Sequence, residues 1–580
     1  MKSQSNTMRT TIAWLAWLIG AGLLVWGLFL PDTTLWRLIL LTGLFLLSLV
    51  PRTYIAAWPQ QEQRTLLRVS LVMSLAFLAV ALQLVRGQFT YAGPIREQVL
   101  AYIQPSANER PDSATDVRLA DREALGSGKV WPVKLEQPIR GSISDRSGTV
   151  LATDQNGKRL YLNGELAHII GFDSRLYGKT GIEASYDYYL SGDYSISPSD
   201  LLRARLLGTQ IPAPQAADLQ LSLDMRIQQV AQEALGNRRG AVVVIEVQTG
   251  AIVAMVSYPR FDANQLILPP DASQADLEAV QAAYAQIIGN SESPLLNRAA
   301  QGRYPPGSVI KTFTAAAALD TGVMASPKAP ITCPNRLRVE ENTPLVRNSV
   351  ENLSARTGNP SDLERVFAFS CNTAFAQIGL SLGANNLLEY AQRFGLGLVE
   401  RPLEPMLREI TTEAGTIANE ASFLDRPAAL ADTAYGQGQA LVTPLDMAQM
   451  VALIGNNGVM MRPYLVERVT AAGEILYQAQ PEALRQSISP QAAQAMIEVL
   501  RRSVEIGYAK DIALPNISVG AKTGTAETPS GRPHAWFVAL APLEQPRYAI
   551  AVIIENGGEG SVSALPVAKR VLASAFGVTP

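Results

Sequence analysis

The sequence predicts an α+β sandwich with an antiparallel sheet, held to a membrane by N-terminal helices. Three observations carry this expectation. An uncharged apolar run stands near the start, paired apolar runs such as GAVVVIEVQTGAIVAMVSYP (residues 240–259) and YAIAVIIE (548–555) read as buried strands, and helix-spaced segments lie between them.

Residues 11–30, TIAWLAWLIGAGLLVWGLFL, are twenty uncharged residues, enough at about 1.5 Å per residue to cross a hydrocarbon core of roughly 30 Å. Runs at about 35–50 and 69–85 are shorter, and with Pro31 and Pro51 punctuating the turns they read as two further spans. Lys2 and Arg9 precede the first span, and Arg52, Arg64 and Arg68 fill the second connection, whereas the first connection holds Asp32 and Arg37. The positive-inside rule then puts the N-terminus in the cytoplasm and everything after Arg86 outside it. No small-residue cleavage site closes the first run, which argues for an anchor over a removed signal. Residues 1–86 are therefore read as the membrane region.

Residues 87–137 are polar and rich in Pro, Ser and Asp, the composition of a stalk. In residues 140–152, RGSISDRSGTVLA, apolar alternation is broken by Asp-Arg-Ser-Gly, a hairpin signal opening a small β-rich module over 138–214. The main body, 215–580, starts with DLQLSLDMRIQQVAQEAL (218–235), strand alternation passing into helical spacing, followed by two buried strands around a Gln-Thr-Gly turn.

Composition excludes several functions. A net charge of −2 without a Lys/Arg-rich run leaves no footprint for nucleic acid. Only two histidines, His168 and His534, and two cysteines, Cys333 and Cys371, are present, so no metal site assembles from adjacent ligands and a Ser-His-Asp mechanism is disfavoured. No cofactor is expected; the string Gly126-Ser127-Gly128-Lys129 is not a P-loop, because Glu123 and Val130 stand where Gly and Ser/Thr are required. The cysteines either pair, as an oxidising compartment permits, or stand as small buried fillers; spacing does not choose between these.

A histidine-free nucleophile is available. In YPPGSVIKTFTAAAAL (304–319), Pro-Pro-Gly breaks the chain and Ser308 opens a helix-forming run, with Lys311 three residues on and on the same face. An amine there can take the hydroxyl proton, and the helix start favours developing negative charge. Ser370-Cys371-Asn372 follows 62 residues after Ser308, and Lys522-Thr523-Gly524-Thr525 follows 152 after Ser370. That order, SxxK then SxN then KTG, belongs to penicillin-binding proteins and class A β-lactamases. Ser106-Ala107-Asn108 and Lys179-Thr180-Gly181 repeat two of the patterns but precede the SxxK, and both are assigned to structure.

With these motifs in place, the chain resembles a class B penicillin-binding protein, a monofunctional peptidoglycan D,D-transpeptidase. Segments 140–152 and 168–192 (HIIGFDSRLYGKTGIEASYDYYLSG) resemble the family's pedestal, the latter that of the actinobacterial division and elongation subgroup. NRAAQGRYPPGSVIK (297–311), YGQGQALVTPLDMA (435–448) and HAWFVALAP (534–542) resemble its catalytic domain. The resemblance implies the serine penicillin-recognising fold, an antiparallel sheet with helices on both sides after a pedestal or dimerisation-like domain. It implies Ser308 as acylated nucleophile, Lys311 as base, Ser370 as proton shuttle, Asn372 on the peptide amide and Lys522 polarising Ser370. Thr523 and Thr525, flanking Gly524, would bind the terminal carboxylate, and the Ser308 and Thr525 amides would form the oxyanion hole. Implied partners are D-Ala-D-Ala stem peptides, β-lactams, the membrane and a multi-span glycan polymerase of the shape and division family. A carboxypeptidase or β-lactamase, or a membrane β-lactam sensor, would share the motifs; the sensor usually needs a cytoplasmic effector, and the connection around Arg52 to Arg68 carries none.

Overall fold

The computed structural model describes residues 2–27, 33–57, 63–65, 67–82, 139–155, 157–196, 214–529 and 531–579. The chain forms two compact units, divided between Gly126 and Ser127. The stalk at 87–137, the Ser106-Ala107-Asn108 string and the P-loop-like string lie outside the described residues.

In the first unit, helix α1 (Lys2–Gly27) packs on helix α2 (Thr33–Ala57). Their approach is close because a Cβ at Gly20 would stand 2.9 Å from the Gly43 carbonyl oxygen and 2.8 Å from Leu46 Cβ. Two stretches have the length and apolarity of a span, Leu38–Ile55 and Gln63–Leu82, while the apolar helix Thr11–Trp26 is shorter than that measure. Pro51, expected in a turn, lies inside α2. Apolar helices tolerate proline where neighbouring helices and hydroxyl side chains compensate for the lost amide, and Thr53 Oγ1 donates to the Val50 carbonyl at 2.7 Å beside it.

The second unit opens with β1 (Ile143–Ser144), β2 (Val150–Gln155) and β3 (Lys158–Tyr161). The Asp-Arg-Ser-Gly turn is held by Asp145 Oδ1, which accepts from the amides of Ser147 (2.9 Å) and Thr149 (2.8 Å). These strands do not close a sheet alone. β1 pairs in parallel with β4 (Asp218–Leu221), and β4 pairs antiparallel with a strand from far down the chain, Val466–Ala471. The resulting six-stranded sheet ties residues before and after position 214 into one body.

Helix α3 (Met225–Leu235), capped by the Asp224 carboxylate, leads into β5 (Gly240–Glu246) and β6 (Ile252–Tyr258). They join β7 (Gly520–Ala526), β8 (His534–Ala541) and β9 (Tyr548–Ile554) in a five-stranded antiparallel sheet, ordered β7-β8-β9-β5-β6. Alternation along the strands divides the interior in two. Val242 and Val244 face one core with α3 and the C-terminal helix Leu565–Phe576, while Val243 and Ile245 face a larger one with the helices Lys311–Asp320 and Pro444–Gly455. Both faces being covered explains why these strands read as continuous apolar runs. At the sheet's edge, β7 carries the Lys-Thr-Gly-Thr motif between Ala521, which faces the smaller core, and Ala526, which faces the larger one.

Candidate active site

Ser308 sits in the 3-10 turn Gly307–Ile310, which runs directly into the helix Lys311–Asp320. Gly307 adopts φ +53°, and a Cβ there would come within 2.5 Å of the Thr525 carbonyl oxygen, so only glycine lets the turn rest on β7. Gly436, at φ +102°, closes on Gly307 from the other side, where any Cβ would collide with the Gly307 carbonyl. The segment before the turn is fixed by Glu555 at the end of β9, which accepts from Arg298 Nε at 2.7 Å and from Tyr304 OH at 2.8 Å. Trp536 of β8 donates from its indole to the Pro305 carbonyl at 2.9 Å.

Two of the three motifs, SxxK and SxN, converge on one amine. Lys311 Nζ stands 3.1 Å from Ser308 Oγ, 3.1 Å from Ser370 Oγ, 2.9 Å from the Ser370 carbonyl oxygen and 2.6 Å from Asn372 Oδ1. Two of these partners are acceptors only. A neutral amine satisfies the set, donating its two N–H groups to the Ser370 carbonyl and Asn372 Oδ1 and leaving its lone pair for a hydroxyl proton. Burial holds Lys311 well below the usual amine pKa, and the nearby Lys522 ammonium adds to the shift. Lys522 is itself fully buried, and burial lowers its pKa to about 7. The Phe375 ring centre lies 5.6 Å from the Lys311 amine and that of Phe367 5.5 Å from the Lys522 amine, giving each buried amine a ring face.

Ser370 and Asn372 lie where the helix Leu363–Ala368 ends and the helix Asn372–Arg393 begins. Ser370 is held at φ +58°, a conformation unfavourable to non-glycine residues and found where surrounding structure imposes it. The constraint is visible: Cys371 forms a disulfide with Cys333, Asn372 Nδ2 donates to the Arg347 carbonyl at 2.9 Å, and Thr373 Oγ1 donates to Pro334 at 2.7 Å. The cysteines thus pair. Lys522 donates to the Thr523 carbonyl at 2.9 Å and, among the described residues, makes no hydrogen bond to Ser370. Thr523 is nearly buried, Thr525 is exposed, and a Cβ at Gly524 would press on Val309 next to the nucleophile.

The Lys179-Thr180-Gly181 string sits apart from this cluster, with Lys179 Nζ 2.6 Å from Asp187 in an ion network built on Arg140, Arg159 and buried Glu183. The sequence also contains a Gly-x-Ser-x-Gly string at 379–383, but it lies within a helix with Ser381 exposed, not on a strand-to-helix turn. His168 contacts the Pro294 carbonyl at 2.7 Å, and His534 Nδ1 accepts from the Asn556 amide at 2.9 Å; neither faces Ser308. Arg347, Phe367, Phe375, Gly436 and Trp536 escaped sequence reasoning. Gly436 and Trp536 left a trace, in the YGQGQ and HAWFVALAP strings. No group of acidic, His or Cys side chains able to hold a metal occurs among the described residues.

Residues 240–573 match the penicillin-binding protein transpeptidase domain, and residues 140–212 the penicillin-binding protein A dimerisation domain. The peptidoglycan D,D-transpeptidase PbpA of Mycolicibacterium smegmatis is 35% identical over 443 residues, covering 72% of this chain and 84% of that protein. The peptidoglycan D,D-transpeptidase MrdA of Haemophilus influenzae is 29% identical over 547 residues, 81% of this chain and 80% of that one. The imipenem acyl-enzyme complex of penicillin-binding protein A from M. tuberculosis superimposes with a TM-score of 0.65 at 32% identity, covering 76% of this chain and 99% of that one.

Proposed function

We propose, from the premise that this chain belongs to the penicillin-binding protein transpeptidases, that it is a membrane-anchored serine D,D-transpeptidase that cross-links peptidoglycan stem peptides and is acylated by β-lactams. The convergence of Ser308, Ser370 and Asn372 on the single buried amine of Lys311 carries the assignment of roles.

Ser308 Oγ attacks the penultimate carbonyl carbon of a peptide ending in D-Ala-D-Ala as its proton passes to Lys311. The oxygen that becomes negative is received by the amides of Ser308 and Thr525, each such donor being worth roughly 3 to 4 kcal/mol. The proton returns through Ser370 to the departing D-Ala nitrogen, the C–N bond breaks, and an ester to Ser308 remains. An acceptor amine from a second stem then attacks the ester, its proton leaving by the same groups as Ser308 is released. Asn372 orients the peptide amide, and Thr523 and Thr525, on either side of Gly524, receive the terminal carboxylate. Lys522 acts through charge: it lowers the Lys311 pKa and sits beside the carboxylate strand.

The two stretches long enough to span, Leu38–Ile55 and Gln63–Leu82, together with the shorter apolar helix Thr11–Trp26 as a third crossing, support an anchor. The distribution of Lys2, Arg9, Arg52, Arg64 and Arg68 supports a cytoplasmic N-terminus and an extracytoplasmic body of residues 138–214 and 215–580. Glycan strands must be supplied by a polymerase, and the apolar helices are the surface proposed to meet a multi-span one. The test of the active site is intact-mass measurement of the full chain after penicillin G. Wild type gains one adduct, Ser308→Ala gains none and stays folded, and Lys179→Ala, which loses only an ion pair with Asp187, reacts like wild type. An adduct on Ser308→Ala overturns the nucleophile.

A further inference from the structure

We propose that Arg336 and Arg347 form a subsite for a side-chain carboxylate on the donor stem peptide, upstream of the bond that is broken; the inference rests on the transpeptidase reading above. The two residues face each other in a short antiparallel ribbon, Arg336–Leu337 against Val346–Arg347, with Arg336 opposite Arg347 and Leu337 opposite Val346. Val346 is buried against Ala376 and Ala431, and Leu337 packs on the same cluster, so that side of the ribbon is turned to the protein. Alternation sends both guanidinium groups to the other side, where both residues are exposed.

Like charges placed directly opposite each other on a ribbon destabilise it. Nothing in the surroundings relieves this pair: among the described residues neither guanidinium makes an ion pair or a hydrogen bond. The ribbon's own connection carries two acids, Glu340, which accepts from the Ala428 amide at 3.3 Å, and Glu341, and neither forms an ion pair with these arginines. The arrangement costs stability in the free protein and is suited to an anion that arrives from outside.

Its location says which anion. The Arg347 carbonyl accepts the hydrogen bond of Asn372 Nδ2, and Asn372 Oδ1 in turn accepts from Lys311, so one side chain separates the ribbon from the reacting centre. The Cys333–Cys371 disulfide joins the chain just before Arg336 to the residue just before Asn372. β7, proposed to hold the terminal carboxylate, touches the nucleophile turn through Gly307 and Val309 instead. The two cationic and polar sides therefore serve different carboxylates of one extended peptide. Paired guanidinium forks match a carboxylate in a way a neutral amide cannot reproduce. The ligand class is a D-Ala-D-Ala peptide whose preceding residues carry a free carboxylate.

The experiment compares two soluble donor peptides ending in D-Ala-D-Ala, one with a free carboxylate on the residue before the dipeptide and one with that group amidated, using the full-length chain in detergent. Acylation of wild type is expected to favour the carboxylate form about tenfold in kcat/KM, with the preference shrinking as salt is raised. Arg336→Gln, and independently Arg347→Gln, should reduce that ratio toward one, while Lys179→Ala, which lies outside the site, leaves both the ratio and the penicillin G acylation rate unchanged. Equal rates for the two peptides in wild type, or an equal loss for both in the variants, overturns the subsite. An effect confined to resolution by the acceptor amine places the arginines on the acceptor side and overturns the donor assignment. If no peptide or penicillin acylates wild type, the transpeptidase reading fails instead.

Discussion

A buried lysine is an expense that function explains, and two of them within one core define how this site responds to pH. The folded-state pKa of Lys522 is lowered to about 7 from 10.5, so between these values the unfolded chain binds a proton that the folded one does not. Stability therefore rises with pH through that window, and below about 7 the whole penalty is present. At roughly 1.4 kcal/mol per pKa unit this amounts to at most about 5 kcal/mol. Lys522→Met is expected to raise the unfolding temperature most near pH 6.5 and hardly at all near pH 10, measured by calorimetry across that range. In the same variant, loss of a like charge lets the Lys311 pKa rise, so any residual penicillin acylation should gain its rate at higher pH than in wild type. An unchanged acid limb would mean that Lys522 does not tune Lys311. At this scale the meeting of Ser308, Lys311, Ser370 and Asn372 was legible, because chain order separates Lys311 from Lys179. What stayed hidden was the direction of Lys522, whose hydrogen bond goes to the Thr523 carbonyl, and the left-handed backbone of Ser370. The second depends on ties to segments far off in sequence, through Cys333, Pro334 and Arg347.

At the scale of elements, hairpins and buried strands were readable from alternation and turn residues, as in 140–152 and 240–259, since these signals are local. The six-stranded sheet was not, because its partners Asp218–Leu221 and Val466–Ala471 are joined only by tertiary pairing. The same distinction applies to the cysteines, whose Cα separation of 6.3 Å is a property of the folded loop. Their bond closes a 38-residue separation, and the chain-entropy argument puts its contribution at about 3 to 4 kcal/mol. The loop it closes also holds Asn348, whose Oδ1 accepts from the Thr373 amide at 3.2 Å. Cys333→Ser is thus expected to lower stability by an amount of that order in denaturant titration. Penicillin acylation in the still-folded variant should slow as well, because the chain entering Ser370 and Asn372 loses one of its ties. A slower reaction restored by high substrate concentration would show that binding, not the position of Lys311's partners, depends on the disulfide.

For the whole molecule, the membrane helices raise the question of which face is spent within the chain and which remains for a partner. The run GAG at 20–22 invites close helix approach, but its two glycines differ. Gly20 meets α2, where a Cβ would press on Gly43 and Leu46, and a Cβ at Gly43 would in turn press on Leu24; Gly22 opens on space with nothing within 4 Å. The two positions therefore separate internal packing from external contact. Gly20→Leu overfills the α1–α2 contact and is expected to destabilise the helix pair by roughly 1 to 3 kcal/mol, seen as faster proteolysis of the N-terminal region in detergent. Gly22→Leu should leave that pair intact. If the open face of α1 is where a multi-span glycan polymerase packs, Gly22→Leu should also reduce its co-purification while intact-mass labelling by penicillin G stays at one adduct per chain. Undiminished co-purification with Gly22→Leu, against a loss with Gly20→Leu, would place the partner on α2 or beyond and reduce α1 to an internal support.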